Sequence, residues 1–185
     1  MEGPWHGYTV DDLFDLPDLP PHTELIDGSL VFPKPQNVFH SVALFQLTDG
    51  LLRTVSDEVR VRSRMTVVLG PFNAPEPDVI VVRAEAERSD DQSRYHAADV
   101  VLAVEIVSPD SEDRDRETKP LKYAAAGIPH FWLVEKTGEG RPPAVHTYEL
   151  DPVTKSYTNT GIYHERLKLT VPFTIDIDLT AIARR

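Results

Sequence analysis

The chain contains no cysteine. Disulfides, thiolate metal sites and thiol nucleophiles are therefore excluded, which is compatible with a reducing compartment. Long apolar runs are also missing, and the opening stretch MEGPWHGYTVDDL has no basic flank. The expectation is a cytoplasmic protein with neither signal peptide nor membrane anchor. The phosphate-loop patterns GxxxxGKS/T and GxGxxG do not occur, nor does the GxSxG elbow of serine hydrolases. Seven histidines are scattered without HExxH-type spacing, which argues against a zinc hydrolase. Positive charge is scarce, with 19 Lys and Arg against 30 Asp and Glu, for a net charge of −11. That balance argues against a constitutive nucleic-acid coat protein. Seven of the acids and none of the bases fall in residues 1–30, leaving only −4 for the rest. A locally basic face elsewhere stays open.

At 185 residues, 41% hydrophobic and 26% charged, the chain has the size and composition of one globular domain with a full core, spanning 1–185. The most informative stretch is Val100–Glu135. Val100 to Val107 is apolar at every position except Glu105, as in a central strand covered on both faces. Ser108-Pro109-Asp110 ends that strand. Pro120 and Gly127 suit the start and end of a short helix, and Ile128–Val134 is rich in strand formers.

Upstream, Thr9 and Asp12 suggest a capping box on a short helix ending near Leu16. Asp27-Gly28 suits the turn of a hairpin over Glu24–Phe32. Apolar residues at helical spacing predict the longest helix over Gln36–Val55, weakened locally by Gly50. Val59–Leu69 alternates and predicts one strand, with Arg60, Arg62 and Arg64 on its second face. Asp78–Arg83 predicts a short strand opening on an acid. Ala84–Ala98 reads as a surface loop or a ragged helix. Ala144–Leu150 with Ser156–Thr160 predicts another hairpin, Arg166–Leu169 a further strand, and Ile175–Ile182 a final short segment.

A carboxylate inside a buried strand is costly unless a cation or hydrogen-bond donor answers it, which makes Glu105 the leading candidate. If the strands of Asp78 and Glu105 run antiparallel, the start of one meets the end of the other. Both acids then stand at one end of the sheet, offering the oxygen ligands that hard divalent cations prefer. Glu24 is a third acid within plausible reach. The ordinary readings are that Asp78 is a turn residue after a proline, that Glu24 is a solvated strand residue, and that Lys119 and Lys122 are solvated helix charges.

Together these residues resemble the Uma-two family of restriction-endonuclease-like proteins, a branch of the PD-(D/E)XK nuclease superfamily. The likeness runs from about Tyr8 to Ile177. It rests on Glu24-Leu25-Ile26-Asp27-Gly28, His40, Pro77-Asp78, Val104-Glu105-Ile106-Val107-Ser108-Pro109, Asp115 with Lys119 and Tyr123, and Gly127-Ile128-Pro129-His130-Phe131-Trp132-Leu133-Val134. The resemblance implies an α/β (α+β) nuclease core, a mixed central sheet flanked by helices with extra hairpins. It implies a metal-dependent endonuclease in which Asp78, Glu105 and the Ile106 carbonyl hold Mg²⁺ or Mn²⁺, with Glu24 as an extra acid and DNA as the expected partner. In the superfamily a lysine stands two residues after the Glu, but here that position is Val107. The resemblance moves the role to Lys119. Pro120 disfavours helical backbone at Lys119, which keeps Lys122 open as the alternative. The five arginines Arg60, Arg62, Arg64, Arg114 and Arg116 are candidates for steering the nucleic-acid backbone. A catalytically silent interaction or regulatory module of the same fold is the rival reading. Exposed strand edges offer one route to a homodimer.

Overall fold

A computed structural model describes residues 7–184 of the protein. In chain order the elements are α1 (Val10–Asp15), β1 (Glu24–Ile26), β2 (Ser29–Val31), α2 (Val38–Leu52), β3 (Val59–Ser63), β4 (Thr66–Val68), β5 (Val79–Arg83), β6 (Arg94–His96) and β7 (Val100–Ile106). A π-helical turn over Arg114–Thr118 then runs into α3 (Lys119–Ala126). Next come β8 (His130–Glu135), β9 (Ala144–Asp151), β10 (Ser156–Tyr163), β11 (Arg166–Leu169), β12 (Ile175–Asp178) and α4 (Thr180–Ala183).

The centre is a six-stranded mixed sheet in the order β10-β9-β8-β7-β5-β3. Strands β7 and β8 run parallel, joined by the crossover through α3, and the other neighbours are antiparallel. Period-2 alternation sorts the two faces. Val79, Val81, Leu102, Val104, Ile106 and Trp132 meet α2, α4 and the β11–β12 hairpin on one side. Ile80, Val82, Ala103, Phe131 and Leu133 meet Tyr123 of α3, together with Val67 and Tyr95, on the other. The β1–β2 hairpin packs with α1 and Ala74 as a smaller third cluster.

Three expectations change. The helix predicted over 36–55 is shorter, because the Asn37 side chain accepts the His40 N–H at 2.9 Å and fixes the start. The single strand predicted over 59–69 breaks at Arg64, which adopts φ +53° and donates its N–H to the Asp78 carbonyl at 3.1 Å. Beyond this kink β4 leaves the central sheet and pairs in parallel with β6. Finally, Lys119 is helical (φ −65°, ψ −44°) despite the following Pro120. Its N–H reaches back five residues to the Arg114 carbonyl, so the π-helical turn carries the chain into α3 without a break.

Gly50 is a packing device rather than a weak point. A Cβ added there would lie 2.7 Å from Ile177 Cγ1 and 2.9 Å from its Cδ1, so the missing side chain lets α2 approach β12 closely. Alanine in place of this glycine gains about 1 kcal/mol of helix propensity, but the buried Ile177 cannot retreat freely and overpacking costs ~1–3 kcal/mol. Gly50→Ala is expected to lower stability by about 1 kcal/mol in urea unfolding, whereas an exposed helix position would gain.

Candidate active site

The register of the central sheet sets up the site. Val79 pairs with Val104 in the antiparallel β5–β7 ladder, so Asp78 and Glu105 stand one step further along at the same end. Asp78 continues the face of Ile80, and Glu105 that of Ala103, so both belong to the α3 side. The Ile106 N–H donates to Asp78 Oδ2 at 2.8 Å, and His40 Nε2 from α2 lies 2.9 Å from Asp78 Oδ1. Because β3 ends at the Arg64 kink and β5 begins only at Val79, Asp78 sits at the sheet end rather than inside the ladder.

Lys119 enters from α3. Its Nζ donates to Glu105 Oε2 at 3.2 Å and lies 2.9 Å from Glu24 Oε1 and 3.3 Å from Asp115 Oδ1. The Tyr123 hydroxyl, one helical turn on, donates to the other Glu105 oxygen at 2.5 Å. Glu24 is also held by the Glu76 backbone N–H at 2.8 Å, and Asp115 accepts from the Ser111 hydroxyl. Glu24, Asp78, Glu105, Asp115 and Lys119 are all buried. Three carboxylates therefore meet one ammonium, with Asp78 buried nearby, so acids outnumber bases in a poorly solvated place.

The titration behaviour follows from that count. Burial pushes the Glu105 carboxyl well above its ordinary 4.5; Lys119 opposes this, while Asp115, Asp78 and Glu24 add to it. Burial likewise raises Asp115, again against the pull of Lys119. Burial alone would lower the Lys119 ammonium, but Glu105, Glu24 and Asp115 together outweigh it and hold lysine well above its ordinary range. The Tyr123 hydroxyl is driven well up by burial and by the Glu105 charge beside it.

These residues form the floor of a cleft of about 340 Å³. Its rim carries Lys34, Arg64, Arg114 and His22. Lys34 pairs with Asp110 at 2.5 Å and His22 Nδ1 lies 2.6 Å from Glu76 Oε1. Arg114 reaches Asp110 only at 3.8 Å, and its buried Nε has no hydrogen-bond partner among the described residues. The other arginines predicted to steer nucleic acid are engaged elsewhere, Arg60 and Arg62 with Glu87 and Arg116 with Glu112 and Glu135.

The fold thus gathers Asp78, Glu105, Ile106, Glu24 and Lys119 at one place. Lys122 is not brought there. Its Nζ is 2.5 Å from Asp27 Oδ1 in the β1–β2 turn, and the hydrogen bond from Lys122 lowers the Asp27 carboxyl. The kink expected from Pro120 does not displace Lys119, so the reason for weighing Lys122 as its substitute falls away. Sequence reasoning gave no role to Asp115 or to the Glu76–His22 pair, and named His40 only among the residues of the family likeness, whereas it is 1% exposed and lies against Asp78. The signal for Asp115 is its spacing of four from Lys119, legible only if the helix is taken to start before Pro120.

A divalent cation is compatible with the donor chemistry: hard carboxylate oxygens, an unanswered surplus of negative charge, and a buried Asp115 Oδ1 without a hydrogen bond. As they stand, no three His, Asp or Glu side chains among the described residues are at ligating spacing, because Lys119 occupies the middle of the cluster. No helix among the described residues is long and apolar enough to cross a membrane.

A mixed six-stranded sheet with α3 on one face, α2 on the other and acids at one sheet end defines a mixed α/β protein with an acidic site at its sheet end. The chain belongs to the Uma2 family, described as "Putative restriction endonuclease", whose profile matches residues 10–181. A solved structure of similar fold is a crystal structure of "a putative nuclease belonging to DUF820" from Anabaena variabilis ATCC 29413. It is 21% identical, with a TM-score of 0.73 over 95% of this chain and 98% of that one; at that identity the likeness speaks to fold alone. No curated protein matches.

The raised Glu105 carboxyl makes a prediction whose sign can be worked out. Below about pH 4.5 folded and unfolded chains both keep this proton, and the group contributes nothing. As pH rises the unfolded chain ionises first, so stability is lost from there up to the folded value. Glu105→Gln removes that loss. The variant is expected to melt above the wild type near pH 8, with the gap closing toward about pH 4. Calorimetric scans across that range would check it, and a variant less stable at every pH would contradict the buried-charge account.

Proposed function

We propose that the chain is a metal-dependent endonuclease that hydrolyses phosphodiester bonds in DNA. The observation that supports this reading is that Asp78 and Glu105 stand one step beyond the Val79–Val104 pair of adjacent antiparallel strands, in an acidic cluster lining an open cleft. Family membership supports a nuclease reading. Asp78, Glu105 and the Ile106 carbonyl would hold Mg²⁺ or Mn²⁺, with Glu24 as a supporting acid. When bound, the cation would stabilise charge developing on the phosphodiester and lower the pKa of a coordinated water.

The chain's own residues supply the rest. The neighbouring carboxylates keep Lys119 protonated, so it acts as a cation that orients water or neutralises the phosphorane, not as a base. His40 and the Ile106 N–H fix the two oxygens of Asp78, the kind of supporting contact that tunes a metal ligand. Arg64 and Arg114 line the cleft and would supply positive charge toward backbone phosphates, a recognition that guanidinium suits.

One observation favours the silent module instead. The Lys119 ammonium already stands where a cation would neutralise Glu24, Glu105 and Asp115. Metal titration by calorimetry separates the readings, since no Mg²⁺ or Mn²⁺ binding at millimolar metal selects the module. For the enzyme, plasmid and oligonucleotide cleavage with Mg²⁺ or Mn²⁺ is expected to fall by ~100-fold or more in Asp78→Asn, Glu105→Gln and Lys119→Ala. Arg64→Ala and Arg114→Ala should mainly raise KM and flatten the salt dependence of binding. Cleavage that survives both acid substitutions sinks the assignment.

A further inference from the structure

The cleft does not end at its rim. A second space of about 330 Å³ adjoins it, and Lys34, Pro35, Gln36, Ser108 and Asp110 line both. An ion pair stands between the two. Lys34, in the loop between β2 and α2, reaches Asp110, in the turn after β7, at 2.5 Å. The acid floor lies on one side of this bar and the Asn37 cap of α2 on the other. Asp110 also faces Arg114, whose Nη2 is 3.8 Å from its second oxygen. One carboxylate thus engages two of the three fixed cations at the rim. Taking the nucleic-acid reading of the cleft as given, we propose that Asp110 occupies the place of a backbone phosphate, and that a strand laid through both spaces displaces it from Lys34 and Arg114.

The chemistry matches. A phosphodiester carries the charge of a carboxylate, likewise shared between two oxygens, and it draws lysine and arginine in the same way. In Asp110 each oxygen already meets a different cation, Oδ1 with Lys34 and Oδ2 with Arg114. The hydrogen bond from Lys34 holds the Asp110 carboxyl below its ordinary 3.8, with the Arg114 charge adding to it, so the group is an anion at neutral pH. The pair is also easy to exchange. Lys34 is largely exposed, and ion pairs in such solvated places contribute little to stability. Pro33 and Pro35 restrict the backbone on either side of Lys34, so the exchange needs only side chains to move. Finally, the floor is acid-rich and repels a phosphate unless cations at the rim answer it. While Asp110 engages Lys34 and Arg114, that answer is withheld.

The plain alternative is that Asp110 only pins the loop before α2. The Lys34 backbone N–H also donates to its carboxylate. Asparagine at this position keeps an acceptor for that bond and loses only the charge, so Asp110→Asn separates displacement from pinning.

Binding of a short fluorescein-labelled oligothymidylate, followed by anisotropy in EDTA, tests this without cleavage. Asp110→Asn is expected to bind about threefold to tenfold tighter than the wild type. Its log affinity should fall more steeply with log salt, by roughly 0.7 for each cation released to a phosphate. Asp90→Asn changes net charge equally at an exposed position outside both spaces and should leave affinity and slope as they are. Lys34→Ala should cost little in the wild type and several-fold more in Asp110→Asn, a non-additivity that a general change of charge does not produce. An Asp110→Asn protein that binds no tighter than Asp90→Asn overturns the proposal. So does a gain in affinity that stays whole when Lys34→Ala is added. Failure of the nuclease reading shows elsewhere, as absent metal binding and absent cleavage.

Discussion

The contact on which the site depends is the ammonium of Lys119 set among Glu24, Glu105 and Asp115. It ties three parts of the chain that share no secondary structure: the β1 hairpin strand, the central strand β7 and the turn leading into α3. Desolvating charge costs several kcal/mol per ion, and attraction in the interior returns that only when partners are close and hydrogen-bonded. Here the balance is incomplete, since three carboxylates meet one lysine. Hydrophobic residues of similar volume would make a more stable protein. The acids persist in a place where their chemistry, not their stability, gives them a use.

Much of the surrounding structure serves to bring the acids to that point. The kink at Arg64 ends the β3 pairing just where Asp78 begins β5, and its N–H takes the Asp78 carbonyl. The Ile106 N–H, at the end of β7, is thereby free to bind the Asp78 side chain. The Glu76 N–H, two residues before Asp78, holds Glu24, so one short segment positions acids from two sheets. On the far side, the absence of a Cβ at Gly50 draws α2 against Ile177, which helps seat the helix that carries His40.

The sheet was legible because its strands are covered on both faces and show it. Val100–Val107 is apolar except for Glu105, which stands out from it, and Ile128–Val134 is rich in strand formers. The meeting of Asp78 and Glu105 was expected only if their strands ran antiparallel, and β5 and β7 do. What stayed hidden depended on backbone geometry that composition does not encode. Arg64 in a left-handed conformation splits what alternation presents as one strand, and arginine carries no signal for that conformation. Asp115 remained out of view because it joins the site through a π-helical turn, while local rules place a boundary at Pro120. His40 looked ordinary because its partner lies 38 residues away in sequence, across the sheet end.

The same proline has a further effect. A π-helical turn is usually metastable, since slipping back by one residue restores tighter hydrogen bonding. In that tighter register the amide of residue 120 would bond the Arg116 carbonyl, and proline has no hydrogen to give. Relaxation therefore gains no bond at this position, and the proline ring would press on the Arg116 carbonyl there, which favours the wide turn. The azimuth of Lys119 about the helix axis is thereby fixed before any charge is met, so the acids receive an ammonium already aimed at them.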